Sequence, residues 1–105
     1  MTEIEFNDRV EKMLAHIADA IDASGEDMDC EMVGGGVLEL EFGNGSKIVI
    51  NRQGAMQEIW VAAKSGGFHF RWQDDAWRDT RSGDELLGSL TRLIAEQSGV
   101  SIALK

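Results

Sequence analysis

The chain has 105 residues, 43% of them hydrophobic, and this size predicts one domain, residues 1–105, that buries a single core. Its 19 acidic residues against 10 lysines and arginines give a net charge of −9, which argues against nucleic acid and anionic membrane as partners and favours cations or a basic protein surface. Because Cys30 is the only cysteine, the chain cannot form an internal disulfide. The sequence shows neither the pattern of a signal peptide nor an apolar run long enough to span a bilayer. We therefore expect a reduced, cytoplasmic setting.

The N-terminal segment has the pattern of an amphipathic helix. Thr2 and Glu5 are spaced as a capping box, and apolar residues then recur at steps of three and four to about Ala23. Acidic residues collect on the opposite side, and Gly25 is placed to end the helix in the left-handed conformation. We therefore expect one face of this helix to pack and the other to be anionic.

Residues 26–32 alternate in the manner of a strand. The sulfur-containing side chains are predicted to point inward and the acidic ones outward: Met28, Cys30 and Met32 against Asp27, Asp29 and Glu31. Carboxylates on an edge strand also prevent edge-to-edge pairing, which is the simplest explanation for them. Because Cys30 points inward, it is expected to be a packed thiol rather than a ligand or a nucleophile.

The most regular part of the sequence is a hairpin over residues 37–53. A two-residue turn at Asn44-Gly45 would place the apolar side chains of the two strands on opposite faces. A three-residue loop ending in a left-handed Gly45 instead pairs Leu40 with Ile48, and this register is the one we predict.

Three further strands are predicted over residues 58–63, 68–72 and 76–79, with a turn at 65–67 between the first two. Phe68, Phe70 and Trp72 point inward in this pattern, and His69 and Arg71 point outward. Trp60 also faces away from the core. It is either an aromatic anchor for a partner or a cover over the sheet, and the pattern favours neither.

The last segments are a helix and a short extended tail. Ser82 and Glu85 are spaced as a second capping box that opens a helix to about Ser98, and Gly88 within this helix indicates close packing. Val100, Ile102 and Leu104 alternate as a final strand or tail. The order of elements predicts an α+β fold, a two-layer sandwich with both helices on one face of an antiparallel sheet.

Several short motifs resemble the frataxin family, and its bacterial CyaY group in particular. They occur in the family's order and spacing, and they are Gly36-Val37-Leu38, Asn44-Gly45-Ser46, Asn51-Arg52-Gln53, Ile59-Trp60, Gly66-Gly67-Phe68-His69-Phe70 and Arg81-Ser82-Gly83. The resemblance covers nearly the whole chain and implies the same two-layer fold. Two positions depart from the family pattern. The family usually has proline at the position of Ala55 and glutamine at the position of Glu58.

The strongest chemical feature is a group of acidic residues that we name the acidic ridge: Asp19, Asp22, Glu26, Asp27, Asp29 and Glu31, extended along the helix by Asp8 and Glu11. From the residues alone, the pattern favours a solvated face that aids solubility. The resemblance reverses this preference, since frataxins are thought to bind iron, Fe2+ or Fe3+, on this helix and edge strand. Ala18 and Ala23 stand where the family often has further acids, so we expect weak binding at the surface.

No other constellation of chemical groups stands out. One cysteine and two scattered histidines give no zinc spacing, and Gly34 to Gly36 lead into no helix and so do not form a phosphate loop. We find no set of nucleophile, base and orienting group, and we therefore expect a protein that is not an enzyme.

The resemblance implies an iron-binding protein that regulates iron–sulfur cluster assembly. The acidic ridge would dock on a cysteine desulfurase, and the outer sheet face with Asn51, Gln53 and Trp60 would bind the iron–sulfur scaffold protein. One alternative is a ferroxidase or iron store. Another is iron or haem handling for tetrapyrrole synthesis, with ferrochelatase as the partner.

Overall fold

A computed structural model describes residues 1–105. It contains, in chain order, the elements α1 (Glu3–Ser24), β1 (Met28–Met32), β2 (Val37–Phe42), β3 (Lys47–Gln53), β4 (Glu58–Ala63), β5 (Gly66–Gln73), β6 (Ala76–Asp79) and α2 (Leu86–Ser98). The strands form one antiparallel sheet in the order β1-β2-β3-β4-β5-β6. The predicted α+β sandwich is confirmed. Neither helix combines the length and the apolar character needed to cross a membrane.

Helix α1 begins and ends where its local sequence predicts. The Thr2 hydroxyl accepts a 3.1 Å hydrogen bond from the Glu5 amide, and the Glu5 carboxylate accepts one of 3.2 Å from the Thr2 amide. The hydrogen bond from the Thr2 amide, together with the Thr2 side chain, holds the pKa of the Glu5 carboxyl below its ordinary value. At the other end Gly25 is left-handed, with φ +70°, and its amide donates to the Asp22 carbonyl.

The β2–β3 hairpin has the predicted register. Leu40 lies opposite Ile48 and Leu38 opposite Ile50, and Gly45 is left-handed with φ +85°. This register places every large apolar side chain of the hairpin on the face that α1 and α2 cover. One buried cluster joins both helices, the inner face of the sheet and the tail residues Ile102 and Leu104.

The tail is extended, without regular structure, and packs against both helices. The Leu104 amide donates to the Thr91 hydroxyl on α2 at 3.0 Å, and His16 on α1 contacts the Lys105 carbonyl oxygen. Of the two predicted forms, strand or tail, the structure has the tail.

Helix α2 starts later than predicted. The backbone amides that would have formed the predicted first turn make hydrogen bonds within the loop before the helix. The Ser82 hydroxyl accepts from the Asp84 amide at 3.2 Å and caps no helix, and the helix N-cap is Glu85, which makes no side-chain capping bond. The close packing predicted at Gly88 is also wrong. Gly88 is exposed, and no heavy atom lies within 4 Å of the position that a Cβ would occupy.

Two details of the sheet also differ from the prediction. Met32, expected inside, is 51% exposed, because β1 is the edge strand and has a neighbouring strand on one side only. The turn between β4 and β5 is formed by Lys64 and Ser65, and β5 already begins at Gly66. This second difference changes which side chains meet on the outer face of the sheet.

Candidate functional site: an acidic ridge and an aromatic platform

The acidic ridge lies where the C-terminal turns of α1 pass the edge strand β1. Every carboxylate of the ridge is exposed. Asp19, Asp22, Glu26 and Asp29 line one groove of about 450 Å³. The groove lining does not include Asp27 and Glu31, which lie on the loop and on the strand, nor Asp8 and Glu11, which lie on earlier turns of α1. With a rise of about 1.5 Å per residue, Glu11 is roughly 12 Å from Asp19 along the helix axis.

The negative charge of the ridge is not neutralised within the chain. No lysine, arginine or histidine lies within ion-pair distance of the groove carboxylates or of Asp27 and Glu31. In the extension along α1, Asp8 pairs with Lys12 at 2.8 Å, and this pair is largely exposed. The field at the groove is therefore strongly negative, and it attracts cationic partners over about a Debye length.

The ridge carboxylates do not converge on one point. Nowhere in the chain do three or more His, Cys, Asp or Glu side chains come close enough together to hold a metal ion as a group. A hard cation in the groove would therefore take one or two carboxylate oxygens and complete its coordination with water.

Cys30 lies at the floor of the same groove and is half-buried. Burial raises the pKa of its thiol, and the negative charge of Asp22 raises the pKa further. At neutral pH the side chain is thus a neutral thiol, which is neither a good nucleophile nor a thiolate ligand. This state agrees with the packed thiol expected from the sequence.

The outer face of the sheet carries two cross-strand rows at its centre. In the first row, Trp60 lies between Asn51 on β3 and His69 on β5. In the second row, Glu58 lies between Gln53 and Arg71. The predicted partner-binding residues Asn51, Gln53 and Trp60 are therefore neighbours on one face, and all three are half-buried.

The side chains at the centre of these rows form a rigid unit that we name the aromatic platform: Glu58, Trp60, His69 and Arg71. The rings of Trp60 and His69 stack with centroids 4.4 Å apart and an interplanar angle of 10°. The Glu58 carboxylate accepts 2.9 Å and 2.7 Å hydrogen bonds from the Trp60 indole N–H and the Arg71 guanidinium. His69 Nδ1 lies 3.9 Å from the same carboxylate.

Glu58 is unusual because it is a carboxylate with only 3% exposure. Burial by itself would raise its pKa. The hydrogen bonds from Trp60 and Arg71, together with the positive charge of Arg71, outweigh burial and hold the pKa of Glu58 below its ordinary value. Glu58 is thus ionised at neutral pH and holds Trp60 by a charge-assisted hydrogen bond.

The strand alternation predicts that His69 and Arg71 point outward, but it does not connect them with Trp60 or Glu58. The missing signal was the length of the β4–β5 turn. A two-residue turn at Lys64-Ser65 pairs Trp60 with His69 and Glu58 with Arg71, whereas the turn predicted at 65–67 shifts this register. The opposite charges at positions 58 and 71 would have indicated the correct pairing.

The two histidines lie in different parts of the molecule and share no site. His16 contacts the C-terminal carbonyl oxygen of Lys105, while His69 belongs to the aromatic platform. A further groove of about 430 Å³ on α1 includes His16 and Trp72, and the Arg9 guanidinium covers the Trp72 ring at 4.2 Å from its centroid. No histidine and cysteine are paired.

Comparison with known proteins places these features in context. A family model described as a frataxin-like domain matches residues 1–100. The iron-sulfur cluster assembly protein CyaY of Dechloromonas aromatica is 49% identical over 105 residues, which is the full length of both chains. The protein of the same name from Burkholderia mallei is 47% identical over 98% of this chain and 97% of its own.

Solved structures give the same result. A frataxin from Psychromonas ingrahamii superimposes with a TM-score of 0.93 and 34% identity, covering 100% of this chain and 99% of its own. Yeast frataxin superimposes with a TM-score of 0.72 and 25% identity, covering 89% and 80% of the two chains. The similarity therefore includes both helices, the sheet and the tail.

Proposed function

Because this chain belongs to the frataxin family, we propose that it acts in iron–sulfur cluster assembly as an iron-binding regulator. The full-length relatives described above carry the name iron-sulfur cluster assembly protein, which supports the pathway. The observation that carries the proposal is the acidic ridge, whose exposed carboxylates from Asp19 to Glu31 have no cationic partners in the chain.

In this proposal the acidic ridge docks on a basic patch of the cysteine desulfurase. Uncompensated carboxylates on one edge of a chain of net charge −9 accelerate encounter with a basic surface and orient the complex. The ridge carboxylates are exposed and spread over α1, the following loop and β1, which suits a broad electrostatic contact better than a deep pocket.

Iron is the cargo of the same surface. Carboxylate oxygens are suitable ligands for iron, and the groove between α1 and β1 offers those of Asp19, Asp22 and Asp29 side by side. Since they do not converge as a chelating set, binding is weak and the ion exchanges readily. Iron on the ridge also reduces its negative charge, so iron and the desulfurase compete for the same carboxylates.

The outer face of the sheet contacts the scaffold protein. Trp60 supplies the aromatic anchor, and the neighbouring Asn51 and Gln53 supply side-chain amides for hydrogen bonds. Ridge and platform lie on different sides of the molecule, so one protein can contact the desulfurase and the scaffold protein at once.

We propose that the protein modulates this assembly without catalysing a reaction itself. Support comes from the exposed, non-converging character of the ridge, which offers no enclosed site for oxidation of iron. A ferroxidase or iron store would consume oxygen faster than free iron does. Iron or haem handling for tetrapyrrole synthesis would show as binding to ferrochelatase.

The test is cluster formation by purified desulfurase and scaffold protein, with and without this protein, over a series of Fe(II) concentrations. The ridge variant is Asp19→Lys with Asp22→Lys. The matched control is Glu3→Lys with Glu85→Lys, which changes net charge equally on exposed positions outside the ridge and the cleft. We expect an iron-dependent change in rate that the ridge variant loses and the control keeps. Equal behaviour of the two variants would reject the ridge as the docking surface.

A further inference from the structure

The structure contains a polar cleft that the proposed function does not use. Strand β6 pairs only with residues 70–73 of β5, so the first residues of β5 have no strand beside them on that edge. The loop that follows β6 and the helix α2 flank this gap. Between them lies a cleft of about 270 Å³, whose lining includes Gly67, His69, Thr80, Arg81, Ser82 and Arg92.

The cleft is rich in hydrogen-bond donors. Arg81 and Arg92 contribute guanidinium groups, and Thr80 and Ser82 contribute hydroxyls. The Thr80 amide donates to the His69 carbonyl at 2.9 Å, so the backbone of β5 at His69 points toward this edge. Because strand residues two apart direct their backbone groups to the same side, the Gly67 amide also points there.

The two carboxylates in the cleft are already engaged. Asp79 accepts hydrogen bonds from the Arg81 and Ser82 amides at 2.7 and 3.2 Å. Asp84 is 3.9 Å from Arg92, which is also 3.7 Å from Glu96. By contrast, the Arg81 guanidinium has no hydrogen-bond or ion-pair partner in the chain. It is a cation available to an incoming anion.

The cleft is continuous with the aromatic platform. His69 belongs to both, since its ring stacks on Trp60 and its residue lines the cleft. A protein that covers Trp60 therefore passes the mouth of the cleft. The two arginines and two aspartates of the cleft balance in charge, but the unpaired Arg81 leaves one free cation there. The acidic ridge lies on β1 at the other edge of the sheet.

We propose that this cleft binds an aspartate or glutamate side chain of the protein that docks on the outer face of the sheet. A carboxylate matches the planar, bidentate donor geometry of the Arg81 guanidinium. Arg92 and the hydroxyls of Thr80 and Ser82 complete the set of donors. The inference rests on the proposed function, because the partner is the scaffold protein that Trp60 anchors.

The test measures binding of purified scaffold protein to Arg81→Glu, Arg81→Lys, Arg92→Glu and Trp60→Ala. Lys12→Glu is the matched control, because it makes the same charge change on an exposed site of α1, in the helix layer. Thermal unfolding of each variant verifies that it is folded. We expect Arg81→Glu to weaken binding about tenfold or more, Arg81→Lys to weaken it less, and Lys12→Glu to stay near wild type.

A second arm identifies the anion. If a lysine replaces the acidic residue by which the scaffold protein enters the cleft, this scaffold variant is expected to restore binding to Arg81→Glu. If Arg81→Glu and Arg92→Glu bind like Lys12→Glu while Trp60→Ala loses binding, the cleft proposal is wrong and the docking face stands. If Trp60→Ala also binds normally, both the cleft proposal and the proposed docking face are wrong. Saturation of the cleft by inorganic phosphate with scaffold binding unchanged would likewise overturn the proposal.

Discussion

The indole N–H of Trp60 donates a 2.9 Å hydrogen bond to the carboxylate of Glu58, which is buried on the outer face of the sheet. The His69 ring stacks on the Trp60 ring, and the Arg71 guanidinium donates a hydrogen bond to the same Glu58 carboxylate. Trp60 is therefore held in one orientation before any partner arrives. A preorganised anchor loses less side-chain entropy on binding, so its buried area contributes more fully to affinity.

Replacing Glu58 is expected to weaken both the fold and the anchor. Glu58→Ala removes the acceptor from Trp60 and Arg71, and we expect it to lower the free energy of unfolding by about 1.5–3 kcal/mol. Glu58→Gln keeps the shape and one acceptor and should cost less. Urea unfolding and Trp60 fluorescence measure the two effects. Equal stability of Glu58→Ala and wild type would show that the unit does not stabilise the sheet.

The stabilisation from Glu58 should depend on pH in a defined direction. Its folded-state pKa lies below the ordinary value of 4.5, so its contribution is complete above that value and is lost as pH falls through the lower, folded-state pKa. The difference in unfolding free energy between wild type and Glu58→Gln should therefore be constant near neutral pH and shrink in acid. Using the difference cancels every pH-dependent contribution that the two proteins share.

Cys30 should react slowly with thiol reagents. Its thiol pKa is raised by burial and by Asp22, so the reactive thiolate is scarce at neutral pH. We expect alkylation by iodoacetamide to be several-fold slower than that of a cysteine in a short peptide. Asp22→Asn should accelerate it, whereas Asp8→Asn, which is on a distant turn of α1, should not. Fast alkylation of the wild type would contradict the packed thiol.

Helix α2 offers a stabilising substitution. Gly88 is exposed and has open space around the Cβ position, so Gly88→Ala should raise the free energy of unfolding by about 1 kcal/mol. Gly99 serves as the matched control, because the same substitution there should lower stability. It ends the helix with φ +77°, and Gly99→Ala should cost about 1 kcal/mol or more. A loss of stability in Gly88→Ala would reveal packing against this position.

Salt should weaken the two proposed contacts to different degrees. The ridge acts through exposed charges, and these are screened over about 10 Å at an ionic strength of about 0.1 M. Raising the ionic strength from about 0.05 M to about 0.5 M should thus weaken binding to the desulfurase about tenfold or more. Binding of the scaffold protein through Trp60 should fall less steeply. Titration calorimetry of each pair measures both slopes.

Much of the fold follows from local sequence. The capping box at Thr2, the left-handed Gly25 and the hairpin register across Gly45 all involve groups within a few residues of each other. The alternation of β2 and β3 permits only one register that buries both apolar sets. The acidic positions of the ridge could likewise be read from helical and strand periods, because exposed carboxylates need no tertiary partner to be placed.

The start of α2 depends on a competition between two local motifs. Asp79, the last residue of β6, binds the amides of Arg81 and Ser82 and so delays the start of α2, although Ser82 and Glu85 have the spacing of a capping box. The Ser82 amide that the capping box would have used is thereby satisfied by Asp79.

Sequence patterns were enough to predict the sandwich, the anionic face and an outward-facing Trp60. The surroundings of Trp60 depended on how distant segments of the chain pair. A short β4–β5 turn set the register that joins Glu58, His69 and Arg71 beneath and beside the indole. The same arrangement of strands placed the acidic ridge at β1 and the cleft with the unpaired Arg81 beside β6, at opposite edges of one sheet. Their separation depends on strand order, which is a relation between residues far apart in the chain.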